Sequence, residues 1–208
     1  NGTMDWSFPG STPVPKMGIP VGIHSPEGYS FLIMKQKTPL LTLIAASLGL
    51  VTAQADPFSV SSYTFEPGEG WTSQPPTSSM RAAELKFDAP SAEDDQDPVA
   101  VFFYFGPSDG GGIDANVARW KGQFQGGPTA EEVVDLDNGG KIGILSGTFL
   151  ESMGGPFSGN TTPKDEYRML AAILPSEQGA IFIKLTAPEA IADETRAAFE
   201  DLVRGAKE

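Results

Sequence analysis

Two pairs of strand-like runs, each folded back by turn chemistry, constrain this chain more than any other feature. Residues 131–136 meet 141–151 at Asp137-Asn138-Gly139-Gly140, and 166–174 meet 180–185 at Pro175-Ser176-Glu177-Gln178-Gly179. Asn and Gly supply the left-handed backbone that tight hairpins need, and Pro presets the first turn angle. Two hairpins in succession predict an antiparallel sheet. The run 99–105 (VAVFFYF) is apolar on both alternating faces and predicts a strand inside that sheet rather than at its edge.

A second feature divides the chain. Met34-Lys35-Gln36-Lys37 forms a positive stretch, 39–51 (PLLTLIAASLGLV) an apolar core, and Thr52-Ala53-Gln54-Ala55 a small-residue cleavage site, the pattern of a secretory signal peptide. Its 13 apolar residues fall short of the roughly 20 that span a bilayer. Three parts are therefore expected: 1–33, Pro- and Gly-rich, as a disordered or untranslated upstream segment; 34–55 as signal peptide, with Met34 as the start; and 56–208 as one α+β domain, periplasmic or secreted, with no membrane insertion after cleavage. The absence of cysteine excludes a lipid-anchored form, whose acyl chain needs a thiol.

Beyond position 55 the chain holds 11 basic and 25 acidic residues, a net charge of −14, which opposes nucleic acid and anionic lipid surfaces. The single histidine, His24, lies upstream. A domain without His or Cys has no Ser-His-Asp or Cys-His machinery, no His-ligated zinc, no thiolate metal site and no haem on histidine.

The remaining elements follow from period and punctuation. A short strand is expected at 62–66, then a turn at Pro67-Gly68-Glu69-Gly70 and Trp71, then a polar Pro/Ser stretch over 72–78. Alternation over 79–87 predicts another strand. Ile113, Val117, Trp120 and Phe124 form one apolar stripe at helical period, so a helix is expected over 115–125, capped by Asp114 and ended by Gly126-Gly127-Pro128. Thr186-Ala187-Pro188-Glu189 reads as a capping box for a C-terminal helix burying Ile191, Ala198, Phe199, Leu202 and Val203. The order β-β-β-α-β-β-β-β-α describes an α+β sandwich: an antiparallel sheet of about six or seven strands flanked by two helices.

That order, with Trp71 after a Pro-Gly turn, resembles the Mog1/PsbP-like fold. Ser79-Met80-Arg81, the string 116–124 (NVARWKGQF) and 184–188 (KLTAP) are similar to strings in uncharacterised exported bacterial proteins of planctomycete type. The resemblance covers the element order of nearly all of 56–208. The fold family includes photosystem-associated lumenal proteins and a nuclear-transport factor, so it implies a fold rather than an activity. The His of its metal-binding relatives is missing here.

Candidate sites are few. The Gly-rich turn 106–112 precedes a helix, as in phosphate sites, but lacks the P-loop Lys and carries Asp109 with Asp114 beside it. It reads as a plain turn. Asp94, Asp97 and Asp109 are weak calcium candidates, without the EF-hand pattern. Glu84, Glu151 and Glu166 lie on strand-like runs, where two could form a glycosidase-like carboxylate pair. Trp120 and Phe124 read as core, and Arg119 as paired with Glu84 or Glu151, or else as the anchor of an acidic ligand. The loop 152–165 carries Met153 and Phe157 as an adaptable lip, and its sequon at Asn160 reads as chance.

The leading reading is an exported, non-catalytic domain without cofactor. It would bind a protein or peptide partner in the envelope, or support an assembly there, through Arg119, Gln123, Met153, Phe157 and Trp71. The alternatives are a His-free carboxylate hydrolase and a calcium-dependent binding module. A concave pocket with two carboxylates of raised pKa would mark the hydrolase. An exposed apolar patch would mark the binder, and converging oxygens would mark the calcium module.

Overall fold

In the computed structural model, the structure describes residues 54–93, 96–107, 110–153 and 159–208. Residues 34–53 of the signal-like segment, His24, Asp94, Asp109 and Phe157 lie outside the described residues. No helix among those described is long and apolar enough to cross a membrane.

Among the described residues, nine strands and two helices follow in the order β1 (Phe58–Val60), β2 (Tyr63–Phe65), β3 (Trp71–Gln74), β4 (Ala83–Phe87), β5 (Val99–Tyr104), α1 (Ile113–Lys121), β6 (Ala130–Asp135), β7 (Lys141–Ser152), β8 (Thr161–Leu174), β9 (Ile181–Pro188) and α2 (Glu189–Arg204). Strands β1 and β2 form a small hairpin. The other seven form one antiparallel sheet in the order β3-β4-β5-β9-β8-β7-β6. The chain is thus an α+β protein, and β5 lies inside the sheet as its two-faced apolarity demands.

Period 2 assigns the faces. On β9, Ile181, Ile183, Leu185 and Ala187 enter the large core, which also holds Phe65, Trp71, Phe102 and Phe199 and lies under α2 and the β1–β2 hairpin. Phe182 points the other way, into a smaller core with Trp120, Phe124, Leu145 and Phe149 under α1. All four residues of the predicted stripe, Ile113, Val117, Trp120 and Phe124, pack there. Burying each large apolar side chain contributes about 1.5–3 kcal/mol, so α2, with Ile191, Phe199, Leu202 and Val203 buried, is held by packing rather than by its ends.

Several boundaries differ from expectation. Helix α1 stops at Lys121 because 123–125 is drawn into edge pairing: Leu150 N–H donates to Gln123 O (2.8 Å) and Gln125 N–H to Thr148 O (2.9 Å). That segment occupies the stretch of β7 that β6, paired only to 141–146, leaves open. Asp114 makes no cap; the N-cap is Gly112, without a side-chain bond. Thr186 makes none either. It is held opposite Met169 in the β8–β9 ladder, the N-cap is Pro188, and Glu189 turns to Arg168 instead. Strand β4 occupies only the second half of 79–87, whereas 71–74, expected as polar coil, is strand β3.

The expected loop 152–165 is strand at both of its ends, at Ser152 and over 161–165. Ser152 pairs with Thr161, Glu151 with Thr162 and Phe149 with Lys164, so β7 and β8 continue as a long arm. The register shifts between Gly147 and Phe149, and Glu166 takes up the extra residue with φ +55, a β-bulge that bends the arm away from the sheet. At the opposite end, Gly179 (φ +112) closes the β8–β9 turn so tightly that a Cβ would lie 2.4 Å from the Gly106 carbonyl oxygen.

Candidate functional site

The sheet face under α1 is only partly covered, since α1 has nine residues and the sheet seven strands. Along its open border lies a cavity of about 220 Å³ between the outer side of α1 and strands β5 and β9. Four aromatic rings, Phe103, Phe105, Trp120 and Phe182, share its walls with polar side chains. Phe105 is 44% exposed and stacks on Phe103 (centroids 6.1 Å, 17°) and against Phe182 (5.9 Å), while Trp120 closes the helix side.

Lys184 stands at the base. A charged residue at the centre of an otherwise apolar strand, it faces Val101 on β5 and Ala171 on β8. Its ammonium donates to Gln123 Oε1 and lies 5.1 Å from the Phe149 ring centroid, a cation–π arrangement. Burial disfavours the charged form and pulls its pKa down to about 8.

Arg119 stands at the exposed rim. Its Nη1 donates to Asn116 Oδ1 (2.7 Å). Asn116 is buried, and its amide donates to the carbonyls of Gly110 (2.8 Å) and Gly112 (3.0 Å). One side chain therefore ties the 110–112 turn to the helix and orients the guanidinium. The turn also presses on the cavity wall: a Cβ at Gly110 would lie 2.6 Å from the Phe182 ring.

Charge pairing sets these two cations apart. Of the 11 basic residues beyond position 55, nine hold a carboxylate: Arg81, Lys86, Lys121, Lys141, Lys164, Arg168, Arg196, Arg204 and Lys207. Among the described residues, only Arg119 and Lys184 have no carboxylate within salt-bridge distance, and both line the same cavity.

The structure brings Arg119 and Gln123 together as candidate residues and separates the others. Trp71 is fully buried, edge-on to Phe87 (5.0 Å) in the large core; it presents nothing at the surface, and its indole N–H has no partner among the described residues. Met153 is half-exposed near the tip of the β7–β8 arm. Arg119 meets neither Glu84 nor Glu151, which hold Arg81 (3.1 Å) and Lys164 (3.6 Å) instead.

Nor do Glu84 and Glu151 form a pair. Glu84 on β4 and Glu151 on β7 are separated by β5, β9 and β8, roughly 19 Å at ordinary strand spacing, against the roughly 5–10 Å of a glycosidase pair. Burial raises the Glu84 pKa, but the Thr77 N–H (2.6 Å), the Thr77 hydroxyl (2.9 Å) and Arg81 more than offset it, leaving it low. A general acid needs the opposite shift. Asp97 is engaged by Lys86 (2.9 Å), and no cluster of three or more Asp or Glu that could hold a metal occurs among the described residues.

Sequence reasoning missed Lys184, Asn116, Phe103, Phe105 and Phe182. The detectable signal was Lys184 itself, a lone charge inside Ile181-Phe182-Ile183-Lys184-Leu185.

No protein-family model matches the sequence, and no curated protein matches it. Among solved structures the chain is similar to the solution structure of cyanobacterial PsbP (CyanoP) from Synechocystis sp. PCC 6803. That similarity has 16% identity and a TM-score of 0.44, and covers 78% of this chain and 98% of that one. The α+β assignment itself rests on the sheet order and helices of this chain.

Proposed function

We propose that residues 56–208 form an exported, non-catalytic binding domain that takes a protein or peptide partner in the cell envelope through the α1 face of the sheet. One observation carries this reading: the two cations that have no carboxylate within salt-bridge distance among the described residues line one partly aromatic opening. Over residues 56–208, whose net charge is −14, carboxylates compete for every cation, so a cation left without one is available to an incoming group. A second concavity, lined by Val99, Val101, Tyr167 and Thr186, continues along the same face; Val101 is the cross-strand partner of Lys184. The support is thus a grooved face rather than a broad apolar patch. Of the exposed large apolar side chains Met80, Phe105, Val133 and Met153, only Phe105 lines the cavity. Export rests on the signal-like segment 34–55.

Site-specific photocrosslinking tests the reading. A benzophenone side chain at Phe105 or Val101 is expected to capture a discrete adduct in envelope extract, with or without chelator, while the same group at Asp201 on α2 captures none. Adducts of equal yield at all three positions, or none at any, would contradict it.

A further inference from the structure

We propose that the cavity beneath Phe105 is a receptor for a single carboxylate carried on an apolar body about the size of one side chain. In it, Lys184 and Arg119 take the anion, and Phe103, Phe105 and Phe182 take the body. The proposal rests on the binding reading above and names its ligand.

Size sets the first limit. At about 220 Å³ the cavity lies below the 300–1,000 Å³ of sites that enclose whole drug-sized molecules, so it holds one side chain or its equivalent. Wall chemistry sets the second. Phe103, Phe105 and Phe182 already contact one another ring to ring, and an inserted apolar or aromatic group extends that stack.

Charge sets the third. Lys184 has three donors and Arg119 five; among the described residues one donor on each is directed to a protein acceptor, and both acceptors, Gln123 and Asn116, are neutral amides. A carboxylate between them gains charge-assisted hydrogen bonds. It also relieves the cost of a buried ammonium without a counter-ion, which is consistent with the pKa of about 8. The same field argues against polyanions: the chain's net charge repels each added negative charge, so one carboxylate is favoured over a phosphate cluster or an acidic tract.

The carboxylate has two chemical sources, the C-terminus of a partner polypeptide or a free small acid. The adjoining groove at Val99, Val101 and Thr186 offers room for the residues preceding such a terminus.

Calorimetric titration of residues 56–208 with three probes tests the proposal: acetyl-Ala-Ala-Phe with a free carboxylate, the same peptide as its C-terminal amide, and 3-phenylpropionate. The free-carboxylate peptide is expected to bind at least about tenfold more tightly than the amide, with Lys184→Met and Arg119→Gln each removing that preference. Arg119 is exposed, so R119Q reports on binding even if K184M perturbs the fold. Binding of 3-phenylpropionate without the peptide supports the same receptor chemistry and assigns a free acid as its source. Equal binding of acid and amide, retention of the preference in both variants, or no binding of any probe at about 10 mM overturns it. The crosslinking test then stands apart: adducts at Phe105 with no carboxylate preference would leave the binding face intact and remove only this ligand.

Discussion

At the scale of the residue, Lys184 and Glu84 are both largely buried charges, but their surroundings resolve them in opposite ways. Glu84 is met by two donors from Thr77 and by Arg81, so its charge is stabilised. Lys184 has a neutral amide and a ring face. Its folded pKa of about 8 lies below the unfolded 10.5, so between those values the unfolded chain binds more protons and stability rises with pH. Lys184→Met is expected to raise the melting temperature at pH 7 and to flatten the stability rise between pH 8 and 10.5, checked by thermal unfolding across that window. Glu84 gives the reverse sign. Its lowered pKa contributes stability that is full above its ordinary value of 4.5 and is lost as pH falls through the folded value. Glu84→Gln is expected to cost about 1–3 kcal/mol at pH 7 and much less in acid, measured by urea unfolding at both pH values. Neither environment was visible in the sequence. Arg81, three residues before Glu84, could have been read as its partner, but Thr77 reaches it only through a turn that no periodicity describes.

At the scale of the element, the hairpin turns were legible because Asn-Gly and Pro-Ser chemistry is local, and the α1 stripe was legible because four apolar residues recur at 3.6. Strands β1 and β3 have three and four residues, too few to show a period. The arm of β8 was hidden by Pro163, which removes a ladder donor. It is tolerated because β9 pairs with β8 only from Tyr167 onward, which leaves 161–164 as an edge. The two caps failed for different reasons: the β8–β9 ladder holds Thr186, and α1 begins at Ile113, which places Asp114 inside its first turn. Asn116 links element to site, because it positions Arg119 without facing the opposite cation. Asn116→Ala is expected to destabilise the chain by about 1–3 kcal/mol and to weaken binding at the cavity severalfold. Lys184, whose hydrogen bond goes to Gln123 rather than to Asn116, should keep its titration midpoint. Unchanged affinity in a folded N116A variant would show that Arg119 needs no positioning.

At the scale of the whole molecule, the charge distribution carries the functional argument. Among the described residues Glu84 and Glu151 each hold a cation of their own. The partly covered sheet face under α1 carries the two cations that have no carboxylate within salt-bridge distance among the described residues. The sequence showed Arg119 and Gln123 on that face, because helical spacing places them beside the Trp120 stripe. It did not show β9 beside β5, the long-range pairing that brings Lys184 to them. The most direct test is an NMR titration of the Lys184 ammonium through its 13Cε resonance, with and without the apolar carboxylate. A midpoint of about 8 in the free protein, rising when the ligand is present, is the predicted result. A midpoint in the ordinary lysine range that the ligand leaves unchanged would contradict it.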